Sequence, residues 1–246
     1  MHTDVGIEKS EYLKQRLEPN LGDPDYIHLH DLVWALSEHM NETNVRVLDF
    51  GAGGSPYKSF FPKADYNRAD FDAMSDLDYV IGNDSRVDEA DATFDLILST
   101  QVAEHVSSPS GYFAECYRLL KPGGRLICTT HGTYPDHGCP YDFQRWTADG
   151  LRRDLASVGF SVIEMKKLTT NARALMYFMQ RFSGWFDTPS GGVFSPLLRV
   201  YRSYLHRRPK GWHKLADKLF SANRVVDAMT DGHDLYVGLM AVAEKP

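Results

Sequence analysis

The chain has 246 residues, 43% of them hydrophobic and 24% charged, the proportions of an ordinary globular protein able to bury a substantial core. A net charge of −6 argues against non-specific nucleic-acid binding, which works by neutralising phosphates with excess cations. There is no cationic-apolar leader and no apolar run of about 18 residues, so neither secretion nor membrane spanning is expected. The three cysteines, Cys116, Cys128 and Cys139, lack metal-ligand spacing. The first two fall in apolar helix and strand patterns and the third in a polar loop as a candidate exposed thiol. That usage suits a reducing cytoplasm.

Residues 1–22 are polar and irregular. Asp23-Pro24 reads as an N-cap with proline at the first helical position. Leu29, Leu32, Val33, Leu36 and Met40 then follow at helical spacing, which predicts an amphipathic helix over 24–40 that packs on the sheet or covers the site. His28, His30 and His39 on this helix read as scattered surface histidines rather than a metal site.

Val45, Val47 and Leu48 form a short apolar run that predicts a first strand over 45–50. Asp49 closes the run, and Gly51, Gly53 and Gly54 crowd the turn behind it. Glycines there admit positive φ and let a ligand approach bare backbone. A dinucleotide fingerprint needs glycine at the sixth position, which here is Pro56, so nicotinamide or flavin nucleotides are disfavoured. Asp49 at the strand tip is placed to hold a cationic amine.

Pro62 limits the next helix, and Asp65–Asp70 predicts a second strand. Asp70 ends it at the spacing from Gly51 where an acid accepts from a ribose hydroxyl, although Asp72, Asp76 and Asp78 crowd nearby. Tyr79-Val-Ile81 is a third strand, followed by Asn83 and Asp84 within reach of an adenine amino group. Phe94–Thr100 is a strong fourth strand. Ser108-Pro109 starts a helix with Tyr112, Phe113, Cys116, Leu119 and Leu120 on its apolar face, and Lys121-Pro-Gly-Gly124 ends it. Arg125–Thr130 is the fifth strand. This alternation predicts a parallel sheet with helices on both faces.

Asp49-Phe-Gly-Ala-Gly53, Asp70, Phe94-Asp-Leu-Ile-Leu98, Glu104-His-Val106 and Leu119-Leu-Lys-Pro-Gly-Gly124-Arg-Leu126 stand in one order. Over roughly residues 45–168 they resemble the type 11 branch of the class I S-adenosylmethionine-dependent methyltransferases, with Ser55 in place of the usual third glycine. The resemblance implies S-adenosylmethionine as cofactor. Asp49, Gly51, Ala52 and Gly53 would hold its methionine end, Asp70 and Phe71 its ribose side, and Asn83 and Asp84 its adenine. Ser99, Thr100 and Gln101 would line the sulfonium. It also implies a Rossmann-like, doubly wound, mostly parallel seven-stranded sheet, with Phe160–Met165 and Leu235–Val242 as its last two strands in an antiparallel hairpin.

After the fifth strand, His131–Thr147 gathers two histidines, two tyrosines, two aspartates and an arginine among glycines and prolines. Loops at the carboxyl ends of strands carry substrate residues in such sheets. Methyl transfer to a hydroxyl needs a base that works near neutrality, which histidine supplies. His137, His131 and His105 are the candidates, with Glu104, Asp136 or Asp142 to orient an imidazole. His105 is equally suited to cap the segment after the fourth strand. Thr147 can cap the next helix, with Trp146 packed at the corner.

Residues 169–232 read as a helical insertion. Met176–Phe186 is apolar and aromatic, 187–192 breaks it, and 197–208 and 212–220 are basic amphipathic helices. Seven Lys/Arg stand against one acid between 196 and 218. A solvated lid, an acidic or phosphate-bearing acceptor, or a peripheral contact with an anionic membrane each suits that charge. The whole reads as one domain: a helical cap over 1–44, a core over 45–168 and 233–246, and the insertion over 169–232. The expected function is O-methylation of a small molecule or glycan, without a metal and without nucleic acid. The alternatives are a non-catalytic module that binds the cofactor or its demethylated product, and a nicotinamide oxidoreductase.

Overall fold

The structure is a computed structural model that describes residues 9–39, 43–71, 77–138, 141–183, 195–228 and 232–246. Asp72, Asp76, Cys139 and the 187–192 break lie outside the described residues. The strands are β1 (Arg46–Phe50), β2 (Asp65–Asp70), β3 (Tyr79–Val80), β4 (Phe94–Thr100), β5 (Leu120–His131), β6 (Ser161–Thr170), β7 (Val225–Asp227) and β8 (Tyr236–Glu244). The helices are α1 (Lys9–Leu17), α2 (Tyr26–Ser37), α3 (Pro109–Leu119), α4 (Ala148–Ser157), α5 (Asn171–Arg181), α6 (Ser195–Arg207) and α7 (Pro209–Leu219).

One Rossmann-like sheet runs β3-β2-β1-β4-β5-β8-β6-β7. The first five strands pair in parallel, and β8 lies antiparallel between β5 and β6. The order reverses between β1 and β4, and the crevice beyond such a reversal is where α/β sheets bind ligands. Seven strands were expected and the described residues form eight. The extra one, β7, pairs antiparallel with β6 through Lys166–Leu168 and comes from the insertion, which is therefore not wholly helical. It can form because β6 runs on to Thr170, beyond the expected Met165, leaving an edge to be paired.

Each sheet face carries its own apolar cluster. Leu48, Phe50 and Ile97 meet α3 and α4 on one side, while Val47, Leu96, Leu98 and Met240 meet Leu32, Ala35 and Leu36 of α2 on the other. The helix expected after β1 is a single 3-10 turn, Lys58–Phe60, flanked by buried Tyr57 and Phe61. α2 thus provides much of that face. It starts at Tyr26 rather than Pro24 because the Asp23 carboxylate accepts from the Asn20 N–H (3.0 Å). Thr147 does cap α4, accepting from Gly150 N–H (3.1 Å). The Lys121–Gly124 block lies inside β5, where pairing with β4 shifts register between Phe94 and Leu96. Cys116 and Cys128 are buried free thiols. Among the described residues no helix is long and apolar enough to cross a membrane.

α2, α5 and α7 enclose a third cluster built around Ile27, Tyr177 and Ala216. His213 of α7 is fully buried there, its Nδ1 accepting from Gly22 N–H (3.0 Å) and its Nε2 donating to Gln180 Oε1 (2.6 Å). Both ring nitrogens are taken by the neutral form. Burial lowers the pKa of His213 from 6.5 to about 4, and that of buried His28 likewise. An unfolded chain takes up these protons near 6.5 and the folded chain only near 4, so stability is full above 6.5 and is lost as pH falls toward 4. Melting temperature should therefore drop from about pH 7 to 5, and His213→Gln should flatten the slope. An unaltered slope in the variant would remove His213 as a cause.

Candidate active site

The turn after β1 is shaped by three residues at positive φ: Gly51 (86°), Gly53 (52°) and Ser55 (53°). A Cβ on Gly51 would meet Val102 Cγ2 at 2.5 Å, whereas one on Gly53 would meet nothing within 4 Å. Gly51 is thus set by close packing, and Gly53 faces open space. Gly51 and Ala52 N–H groups both donate to Ala69 O (2.9 Å each), stitching the turn to β2. Ser55 takes a left-handed conformation that costs a non-glycine residue about 1–2 kcal/mol. Its hydroxyl accepts from Arg68 Nε (2.6 Å), and Arg68 Nη2 donates to Gly53 O (2.9 Å). A charge-assisted bond of roughly 1.5–3 kcal/mol offsets that strain. Arg68 went unnoticed as a site residue; a cation in the middle of an otherwise buried strand was the signal.

Asp49 is 2% exposed and accepts from the Tyr66 hydroxyl (2.7 Å). Burial raises its pKa to about 6, against the pull of the Tyr66 and Ser55 hydrogen bonds and the Arg68 charge. Asp70 Oδ2 accepts from Gly53 N–H (2.5 Å) and Oδ1 from Phe71 N–H (2.7 Å), so this carboxylate joins the β2 tip to the turn. Each oxygen keeps a second lone pair for a ligand hydroxyl. Phe71 is 40% exposed beside it. Asn83 and Asp84 are exposed in the loop after β3, and Asp84 Oδ1 accepts from Arg86 N–H (3.1 Å).

At the β4 tip the three expected residues diverge. The Ser99 side chain corrects the expectation: it is fully buried, and its hydroxyl shares a hydrogen bond with the Tyr112 hydroxyl (2.8 Å) inside the α3 cluster. Thr100 is half-buried, paired with Thr129. Gln101, at φ 53°, turns away from the strand. Its Oε1 accepts from Arg16 Nη1 of α1 (2.7 Å), and its amide nitrogen lies 3.2 Å from His28 Nε2. α1 also sets Leu13 directly over Gly54, so the N-terminal segment covers the turn. His28 is a second correction, being 3% exposed rather than a surface group.

The three histidines proposed for chemistry do converge. His137 lies with its ring centroid 4.9 Å from both His105 and His131. Asp142 Oδ2 accepts from His137 N–H (2.9 Å) and sits 3.2 Å from Nδ1. Arg145 grips both Asp142 oxygens and the carbonyls of Tyr134 (3.1 Å) and Pro135 (2.9 Å), fixing the loop. That pairing holds the Asp142 carboxyl well below its usual range, and burial lowers His137. His131 is 3% exposed, stacks on Tyr134 at 4.1 Å and lies 3.2 Å from Glu104 Oε1, and burial keeps it neutral. His105 Nδ1 donates to Tyr141 O (2.6 Å). Trp146 is packing, as expected, with its Nε1–H on Asp154 Oδ2 (2.9 Å); Asp136 is exposed.

Residues 48–128 match the family model described as a methyltransferase domain. That stretch carries a methyltransferase domain of the class I S-adenosylmethionine-dependent type. The ubiquinone biosynthesis O-methyltransferase of Maricaulis maris is 29% identical over 102 residues, 35% of this chain and 40% of that protein. That of Dinoroseobacter shibae is 28% identical over 159 residues, 52% and 64% of the two chains. The chain therefore spans less than two thirds of the length of these curated relatives. Two solved structures share the fold at low identity. The (4+2)-cyclase SpnF has a TM-score of 0.54 at 19% identity over 93% of this chain and 85% of its own. A candidate methyltransferase from Bacillus halodurans C-125 has a TM-score of 0.52 at 17% identity over 88% and 99%.

In the methyltransferase domain the turn fits the methionine end of the cofactor: bare backbone at Gly53 and a carboxylate behind it. An ammonium group held there would pair with the ionised form of Asp49. Cofactor affinity should therefore fall as pH drops below about 6, approaching tenfold per pH unit. Titration calorimetry across that range should show the fall in the wild type and a flat, weaker profile in Asp49→Asn. A wild-type profile as flat as the variant's would separate Asp49 from the ligand.

Proposed function

We propose that this chain transfers the methyl group of S-adenosylmethionine to a hydroxyl oxygen of a small-molecule acceptor. The observation that carries the proposal is His137, braced by Asp142 at the carboxyl edge of the sheet and flanked by His105 and His131. The names of the curated relatives favour a phenolic or quinol hydroxyl over a glycan. The fold by itself supports less, since a cyclase shares it.

Asp49, Gly51, Ala52 and Gly53 would hold the methionine portion, and Asp70 would accept from the ribose. Bound there, the cofactor supplies an electrophilic methyl on a sulfonium. The chain's own part is positioning, exclusion of water and removal of one proton. Asp142 fixes the His137 ring through Nδ1, so that Nε2 is the nitrogen left to take the acceptor's proton. α1 lays Leu13 over the turn at Gly54, on the side where the cofactor would enter.

His137→Ala should leave calorimetric cofactor binding intact and lower turnover of a phenolic acceptor by about 10²–10³-fold. Turnover at the wild-type rate would eliminate this histidine. Cofactor binding with no methyl release onto any acceptor tested would instead favour the non-catalytic module.

We also propose that α6 and α7 contact an anionic membrane surface. Val200 (67% exposed), Tyr204, Leu215 and Leu219 (58%) stand out beside exposed Arg207, Arg208, Lys210, Lys214 and Lys218. Apolar and cationic groups together suit an interfacial helix. The protein should float with anionic liposomes at low salt and be released at high salt. Equal flotation with neutral liposomes, or none with either, would count against the contact.

A further inference from the structure

We propose that Glu104, His131 and His137 form a binding site for one divalent cation of the manganese-to-zinc series. Each contributes one ligand atom, and these atoms lie within 4.8 Å of one another. Glu104 is fully buried. Its Oε2 accepts from the Thr130 hydroxyl (2.8 Å), but Oε1 has no hydrogen-bond partner and lies 3.2 Å from His131 Nε2. His131 Nδ1 is also buried without a hydrogen-bond partner.

A carboxylate removed from water and met by one neutral donor is poorly compensated. Arg145, the cation of this loop, is held by Asp142. Its Nη2 also lies 3.5 Å from His137 Nδ1, on the side of that ring turned to Asp142, so Glu104 Oε1 and the His131 ring are met by no cationic hydrogen-bond donor. A divalent ion satisfies them together. Two imidazoles and one carboxylate are a borderline set that disfavours magnesium and calcium, and three protein ligands leave positions open for a substrate oxygen. Asp142 on His137 Nδ1 is the carboxylate that typically stands behind a ligating histidine.

The role of the ion, though not its binding, rests on the O-methyl transfer proposed above. With its free nitrogen on the ion, His137 would position the cation instead of serving as the base: the bound cation would lower the pKa of an acceptor hydroxyl, whose proton would leave to water. The oxygen–methyl bond forms as the carbon–sulfur bond breaks, with the electron pair remaining on sulfur.

The test is titration of chelator-treated, full-length protein with cobalt(II), followed by visible absorption and calorimetry. One saturable site per chain with a ligand-field band is expected. Glu104→Gln and His131→Gln should each weaken it at least about tenfold, with unchanged melting curves excluding misfolding. A second acidic group, Glu38, His39 and Glu164, lies near the surface and serves as the control through Glu164→Gln. Binding lost in that variant but kept in Glu104→Gln, or no saturable binding, overturns the proposal. If no ion binds while turnover still depends on His137, the cation site fails and the methyl transfer stands. If the ion binds and no acceptor is methylated, the reverse holds.

Discussion

The guanidinium of Arg68 braces the glycine turn at the end of β1. Its hydrogen bonds reach Ser55 and the Gly53 carbonyl, so a single buried cation fixes both the residue at strained φ and the one that faces open space. It also lies close enough to Asp49 to favour the charged form of that carboxylate against the penalty of burial. Removing the guanidinium would leave these buried acceptors without a donor, at about 1–3 kcal/mol each. The conformation of the turn and the charge of the acid behind it are therefore one property rather than two.

A second buried network joins this crevice to the insertion. From Gln101 at the β4 tip, hydrogen bonds run through His28 to Thr169 (3.3 Å) and from Thr169 to Asp31 (2.9 Å). Arg173, without any exposure, then bridges Asp31 (2.7 Å) and Asp217 (2.9 Å), and Tyr26 donates to Asp217 as well (2.8 Å). The donors point one way along the chain only while His28 stays neutral, with its proton on Nδ1. α2, β6, α5 and α7 are thereby tied to the strand that ends beside the glycine turn. Salt bridges of this kind add little net stability but penalise every alternative packing that leaves a charge unpaired.

Much of the architecture was legible because local patterns fixed it. β2 and β4 begin and end where alternation and turn residues placed them, and the Thr147 cap is a short-range hydrogen bond. The convergence of His105, His131 and His137 followed from their places after β4 and β5, since parallel strands deliver their carboxyl ends to one edge. Where expectation and structure part, a distant residue decided the matter. Ser99 turns inward because Tyr112 of α3 offers it a partner, and β7 exists because β6 is longer than its apolar run suggested.

By itself the sequence determined the order of strands and helices, the glycine turn with its acid, and the methyltransferase domain they make. Each of these is written within a few consecutive residues. Only the tertiary structure decided that His28 is buried, that Arg68 braces the turn, and that Glu104 and His131 meet in one buried pocket. Those outcomes depend on burial and on partners far along the chain, and a one-dimensional pattern carries no record of which charge meets which.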